Sequence, residues 1–234
     1  MTREQVYGRR PVREALRGRR EVLELWATER AVASEPWLSE GPRVHVKPDR
    51  EIGEAAETRD HQGVLAWVEP YPYADAHELA AVERPLLACL DQVTDPRNLG
   101  AVIRSAEGAG ATGVVVPAHG SARVTAAVAR ASAGAVEHLP VAVVPNLARY
   151  LNEIKRGDLW IYAATAGGEQ DLWHADLTGG LALVFGAEGK GVRPLVLRAC
   201  DATVSIPLAG NVESLNVSVA AALLLYEARR RRDG

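Results

Sequence analysis

Cysteine is nearly absent. Cys89 and Cys200 stand alone in apolar surroundings, with no CxxC pair and no Cys/His spacing. That excludes a disulfide framework and a zinc ribbon, and it leads us to expect reduced thiols and a cytoplasmic setting. The six histidines are scattered without metal-ligand spacing, so no metal site is expected. No apolar run approaches the roughly 20 residues of a membrane span, so no membrane association is expected. The opening MTREQVYGRRPVREAL lacks the apolar segment of a signal peptide. Phosphate-loop chemistry is missing too. GxxxxGK[ST] fails at Gly186–Gly191, where no Ser or Thr is placed for magnesium, and the same turn is not a dinucleotide fingerprint. There is no internal repeat and no low-complexity tract. Lysine is scarce: of 27 basic residues 24 are Arg, whose planar fork suits phosphate.

The 234 residues suffice for one large domain or two modest ones, and 47% are apolar, enough for a sizeable core. Net charge is only -3, but it is unevenly spread. Residues 1–20 carry seven Arg against two Glu, and the chain closes on Arg229-Arg230-Arg231-Arg232. Solvated helix ends explain such runs as readily as a phosphate-binding face does. Short strands at 21–27, 44–46 and 62–68, with helices after Gly8 and Pro48, predict a compact α/β unit over 1–70. The Pro- and Tyr-rich stretch 71–83 reads as a linker. Over 84–234, apolar strands at 86–90, 113–116, 139–144, 159–164, 181–185 and 202–206 alternate with helices at 98–109, 124–133, 147–155, 194–200 and 214–232. Continuous apolar strands separated by helices predict a parallel sheet covered on both faces, with ligands beyond the strand carboxyl ends.

Three constellations carry chemistry. The first, Asp91 to Ala106, follows a strand and opens a helix. Asn98 sits where an N-cap belongs, and Arg104 is either a plain surface residue or one reaching toward the helix start. The second is Gly186-Ala187-Glu188-Gly189-Lys190-Gly191, a tight turn with a carboxylate placed among its glycines. In the third, Ile206 to Ser218, Ser214 is the apparent cap of the last helix. The stripe Val219, Ala222, Leu223 and Tyr226 beyond it suits a core or a dimer seam.

Taken together, Asn98…Arg104, GAEGKG and IPLAGNVESLNVSVA resemble the three signature motifs of the SpoU–TrmH RNA 2′-O-methyltransferases of the SPOUT superfamily. The resemblance covers Leu86 onward. It extends more loosely to an L30e-like RNA substrate-binding domain at the start, through Val6–Val12 and His61-Gln62-Gly63-Val64. It is greatest for members that methylate a guanosine ribose in large-subunit ribosomal RNA. The resemblance implies a trefoil-knotted methyltransferase domain and a homodimer that acts on RNA, ribosomal RNA being favoured. It further implies S-adenosylmethionine as methyl donor, held by Gly186, Ile206 and Leu215, with Gly191 and Thr165 completing the cofactor wall. Asn98, Arg104, Glu188, Ser214 and Asn216 are then the expected catalytic set, with Arg104 orienting the acceptor or stabilising alkoxide charge. A non-catalytic RNA-binding module, a phosphate-binding nucleotide enzyme, a tRNA methyltransferase and a resistance-type ribosomal RNA methyltransferase are the competing readings.

Overall fold

A computed structural model describes residues 2–233, which group into two compact units. One comprises Met1–Pro72 with Arg123–His138, the other Tyr73–Ala122 with Leu139–Gly234.

The first unit contains β1 (Glu4–Tyr7), α1 (Arg9–Ala15), β2 (Val22–Ala27), α2 (Glu29–Ser34), β3 (Val44–Val46), α3 (Asp49–Ala56) and β4 (Val64–Val68). Its sheet runs β1-β4-β2-β3, with β4 antiparallel to both neighbours and β3 parallel to β2. Ile52 and Ala56 of α3 cover one face against Leu65, with Trp26 and Trp67 packed at the margin. The helix expected at 124–133 is shorter, Ala126–Ala131. Thr125 caps it by accepting from the Val128 N–H, and it lies against β1. The Glu137 carboxylate is fully buried against Arg20, whose side chain is only 3% exposed. Arg20 also reaches Glu4 at 2.9 Å. Removing either buried partner would leave an uncompensated charge, at about 3–5 kcal/mol.

The N-terminal arginines are therefore less available than their number suggests. Arg3, Arg9 and Arg17 pair with Glu24, Glu35 and Glu40, and Arg19 donates to Tyr71. Among the described residues only Arg10 and Arg13 of the seven in this stretch are both exposed and without a polar side-chain partner.

The second unit begins inside the stretch read as a linker. Asp75 caps a short helix, Ala76–Ala81, through the His77 and Glu78 N–H groups. Ala76, Leu79 and Ala80 are buried in the main core. The two prolines at 70 and 72 precede this helix and do not interrupt it. Calling α4 the Ala76–Ala81 helix and α6 the Ala126–Ala131 helix, the rest follows as β5 (Leu86–Asp91), α5 (Pro96–Gly108), β6 (Gly113–Pro117), β7 (Val141–Val144), α7 (Leu147–Glu153), β8 (Leu159–Ala164), β9 (Gln170–Asp171), β10 (Gly180–Gly186), α8 (Pro194–Leu197), β11 (Ala202–Ser205) and α9 (Val217–Asp233).

The sheet order is β7-β6-β5-β10-β8-β11-β9 and every pairing is parallel. The α/β class and parallel sheet expected from the sequence are thus present. Strand β5 is buried at all six positions and β10 at six of seven, the pattern of interior strands covered on both faces. Leu87, Cys89, Ile161, Ala163, Ala182 and Val184 point to the core face shared with Tyr150 and Leu151 of α7. Burial pushes the Cys89 thiol far above its ordinary pKa and Cys200 up to about 12, so neither is a thiolate at neutral pH. No helix of the described residues is long and apolar enough to cross a membrane.

Two helix starts differ from expectation. Asp95, not Asn98, caps α5: its carboxylate accepts from Arg97 N–H, and Pro96 takes the first helical position, where its missing N–H costs nothing. Asn98 is thereby left inside the first turn. Similarly α9 begins at Val217, not Ser214. Asn216 Oδ1 accepts from the Ser218 N–H at 2.8 Å and takes the capping role. Helix α9 buries Val217, Ala221, Leu224, Leu225 and Ala228, whereas Val219, Leu223 and Tyr226 are 47%, 41% and 53% exposed. That stripe is not core.

Candidate active site

Four strand ends meet at the carboxyl edge of the second sheet. In β10 the register places Gly186 opposite Asp91 of β5, and β8 and β11 end alongside at Ala164 and Ser205. Chain leaves β5 for α5 on one side of this junction and reaches β10 from the other. Such a switch point opens a crevice between adjacent loops.

The turn after β10 needs its glycines for two different reasons. At Gly186 the backbone of Gly191 and Val192 passes so close that a Cβ would stand 2.0 Å from the Gly191 carbonyl carbon. Gly191 itself has φ +66°, a conformation that side chains disfavour. The turn closes through Gly191 N–H to the Ala187 carbonyl at 2.9 Å. Arg193 anchors its exit. Asp91, with no exposed side-chain surface, accepts from the Arg193 N–H at 2.8 Å and Nε at 2.9 Å, and pairs with Nη2 at 2.7 Å.

A cavity of about 940 Å³ lies beyond β8, β10 and β11. Its walls come from 164–166, 186–192 and the segment 206–217. Thr165, Gly186, Gly191, Ile206, Leu215, Glu188, Ser214 and Asn216 all line it. Among the described residues, 206–215 make no backbone-to-backbone hydrogen bond. Their N–H and C=O groups therefore need solvent or a ligand. The lining mixes Phe185, Val204, Ile206, Leu208 and Leu215 with these free backbone groups.

A polar cluster sits at one wall. Glu188 Oε1 accepts from Asn98 Nδ2 at 3.1 Å and from Asn216 Nδ2 at short range. Asn216 Nδ2 also reaches Asn98 Oδ1 at 3.1 Å, while its own Oδ1 accepts from the Ser218 hydroxyl at 2.6 Å. Three groups from distant sequence positions thus form one network. Asn98 lies on the second, smaller cavity, Asn216 on the first, and Glu188 on both. Arg104 is not brought in. It lies exposed two turns into α5, lines neither cavity, and has no hydrogen bond or ion pair among the described residues. Ser214 lines the cavity without joining the network. No group of three or more His, Cys, Asp or Glu among the described residues is arranged to hold a metal.

A model of the SpoU rRNA Methylase family matches residues 85–226. The chain belongs to the SpoU rRNA methylase family. A model described as RNA 2'-O ribose methyltransferase substrate binding matches residues 5–74 of this SpoU chain. Among similar proteins, the 23S rRNA (guanosine-2'-O-)-methyltransferase RlmB of Pseudomonas putida is 40% identical over 243 residues, covering 98% of this chain and 97% of the relative. YacO of Bacillus subtilis, whose name places it in the TrmH family of tRNA/rRNA methyltransferases, is 39% identical over 239 residues, covering 97% and 96%. The crystal structure of the SpoU methyltransferase AviRb from Streptomyces viridochromogenes in complex with AdoMet superposes with a TM-score of 0.82 at 32% identity, covering 98% of this chain and 90% of that one.

The Asp91–Arg193 contact was not read from the sequence: Asp91 opens the first constellation without a role, and Arg193 lies outside all three. Nothing in a strand-end Asp and an isolated Arg 102 positions later signals that they meet.

Proposed function

We propose that this chain catalyses S-adenosylmethionine-dependent 2′-O-methylation of a ribose in ribosomal RNA, with a guanosine of the large-subunit RNA as acceptor. The observation that carries this reading is the Asn98–Glu188–Asn216 network at the wall common to the two cavities. One cavity is large enough for a nucleoside-sized cofactor, and the other adjoins it across the Glu188 wall, which supports a place for the acceptor there. The names of the relatives support the substrate class.

The larger cavity suits the cofactor. Ile206, Leu208 and Leu215 offer an apolar slot for adenine, and the free backbone of 206–215 offers donors and acceptors for its polar edge. Gly186, Gly191 and Thr165 would complete the enclosure. When bound, S-adenosylmethionine supplies a methyl group on a sulfonium, whose departure needs no acid. The protein's own task is alignment of the acceptor oxygen and control of its proton. Glu188 holds both amides in fixed orientation, leaving Asn98 to position the ribose. Arg104 cannot serve as a base, because a guanidinium stays protonated in proteins. Exposed and unpaired, it is available to the RNA backbone and to developing alkoxide charge. Ser214 adds a hydroxyl to the cavity rim.

The reading includes the family's trefoil knot and a homodimer. The exposed apolar stripe Val219, Leu223 and Tyr226 is the face on which a second copy would seat. Arg10 and Arg13 are the candidates for RNA phosphate contact. The two free thiols support a cytoplasmic setting.

The test is methyl transfer from labelled S-adenosylmethionine to ribosomal RNA and to tRNA, with the modified ribose mapped by its resistance to alkaline cleavage. Label in one large-subunit guanosine supports the proposal, label in tRNA moves the substrate, and absence of transfer to either RNA overturns it. Light scattering of the purified chain tests the dimer; a monomer that still methylates overturns that part.

A further inference from the structure

Beyond the ends of β5, β6 and β10 lies the second cavity, of about 380 Å³, on the switch-point side of the Glu188 wall. We infer that this cavity receives the acceptor nucleobase, turned out of its stack, and that Gln92 reads its Watson–Crick edge. The inference rests on the methyltransferase reading above and assigns a residue that none of the three sequence constellations singles out for a role.

Position argues first. The cavity shares Ala187, Glu188, Lys190 and Val217 with the larger one, so a nucleoside with its base in the smaller cavity places its ribose at the shared wall. Chemistry on one atom of a nucleotide commonly requires taking that nucleotide out of its stack into such a recess.

Gln92 argues second. It has φ +61°, the left-handed region that glycine tolerates and a long side chain does not favour. Unfavourable backbone held at a cavity wall points to a task for the side chain. Gln92 is partly buried, and its side-chain amide has no hydrogen-bond partner among the described residues. Opposite it stands Gly120, where an added Cβ would come within 3.2 Å of the Gln92 Nε2. The absence of a side chain at 120 keeps the amide's space open. The neighbouring Ser121 hydroxyl is also buried without a partner.

Chemistry argues third. A carboxamide presents one acceptor beside one donor, which matches the N1–H and O6 of guanine. Lys190, on the same cavity and without a hydrogen bond or ion pair among the described residues, supplies positive charge for the phosphate that must follow the base in.

The test uses a synthetic RNA spanning the mapped ribose, with guanosine or 1-methylguanosine at that nucleotide. Wild-type kcat/KM should fall about 10- to 100-fold on 1-methylguanosine, the range expected for losing a bidentate base contact. Gln92→Gly, which suits the backbone conformation, should lose a similar factor on guanosine and no longer distinguish the two RNAs. Gln92→Asn keeps an amide tolerated at that φ and should fall between. S-adenosylhomocysteine affinity should stay within about twofold for both variants, since Gln92 lies off the larger cavity. Gln92→Gly with wild-type kcat/KM and undiminished discrimination would overturn the assignment while leaving the methyltransferase reading intact. A wild-type chain that transfers no methyl group would overturn both.

Discussion

The Asp91–Arg193 pair is the sharpest place to perturb this protein. Asp91 has no exposed side-chain surface, whereas the Arg193 side chain is 43% exposed. The two truncations are therefore unequal. Asp91→Asn keeps the shape and one oxygen for the Arg193 N–H but gives up the guanidinium contacts at 2.9 and 2.7 Å. Two hydrogen bonds to charged groups are worth about 1.5–3 kcal/mol each, and rehydration of the half-exposed Arg returns part of that, leaving a cost of about 2–3 kcal/mol. Arg193→Ala instead strands a buried carboxylate with only a backbone N–H, at a cost of about 3–5 kcal/mol. For a chain of this size each kcal/mol lowers Tm by about 2–4 °C. Thermal and urea unfolding should thus rank wild type, then Asp91→Asn, then Arg193→Ala. The double variant Asp91→Asn with Arg193→Met should lie close to Asp91→Asn and well short of the sum. Since the pair anchors the exit of the 186–191 turn, calorimetry should also show S-adenosylhomocysteine binding several-fold more weakly in both single variants. If Arg193→Ala were milder than Asp91→Asn, or if both lay within about 0.5 kcal/mol of wild type, the account of a buried charge pinning the turn would be wrong.

Arg104→Ala should abolish methyl transfer to RNA while S-adenosylhomocysteine affinity, read by calorimetry, stays within about twofold, because Arg104 lines neither cavity. Gly186→Ala should weaken cofactor binding at least tenfold, since its Cβ meets backbone at 2.0 Å and the turn must open; unchanged affinity would refute the close approach. Hydrogen bonds from Arg230, then Arg231, hold the Glu227 carboxyl down to about 2, below its ordinary 4.5. A depressed carboxyl stabilises the fold above its unfolded pKa and loses that contribution as pH falls through its folded one. The stability gap between wild type and Glu227→Gln, about 1–2 kcal/mol after solvent screening at Arg230, should therefore be full at pH 7 and nearly closed at pH 2, as followed by chemical denaturation.

By itself, the sequence determined the class of the second unit. Strands such as Leu86–Asp91 and Gly180–Gly186 are apolar throughout because both their faces are covered, and that one-dimensional pattern survives without any partner being known. Gly186, Ile206 and Leu215 were legible only through the resemblance of GAEGKG and IPLAGNVESLNVSVA to the family motifs; Leu215 ends no strand and neighbours no glycine, and the fold alone sets it on the same cavity as Gly186 and Ile206. Helix starts were less legible, since Asp95 and Asn98, or Ser214 and Asn216, are equally good caps on composition. Only the competition for N–H groups, with Pro96 fixing the first position of α5, decided between them. Charge was least legible. The seven N-terminal arginines read equally well as solvated helix ends or as a phosphate-binding face, and neither reading shows that Arg20 is buried on Glu137 or that others are spent on Glu24, Glu35 and Glu40. Ion pairs join residues by distance in space, and sequence separation of 117 carries no trace of it. The same holds for the site. Asn98, Glu188 and Asn216 span 118 positions, and only the parallel order that sets β5 beside β10 makes them neighbours.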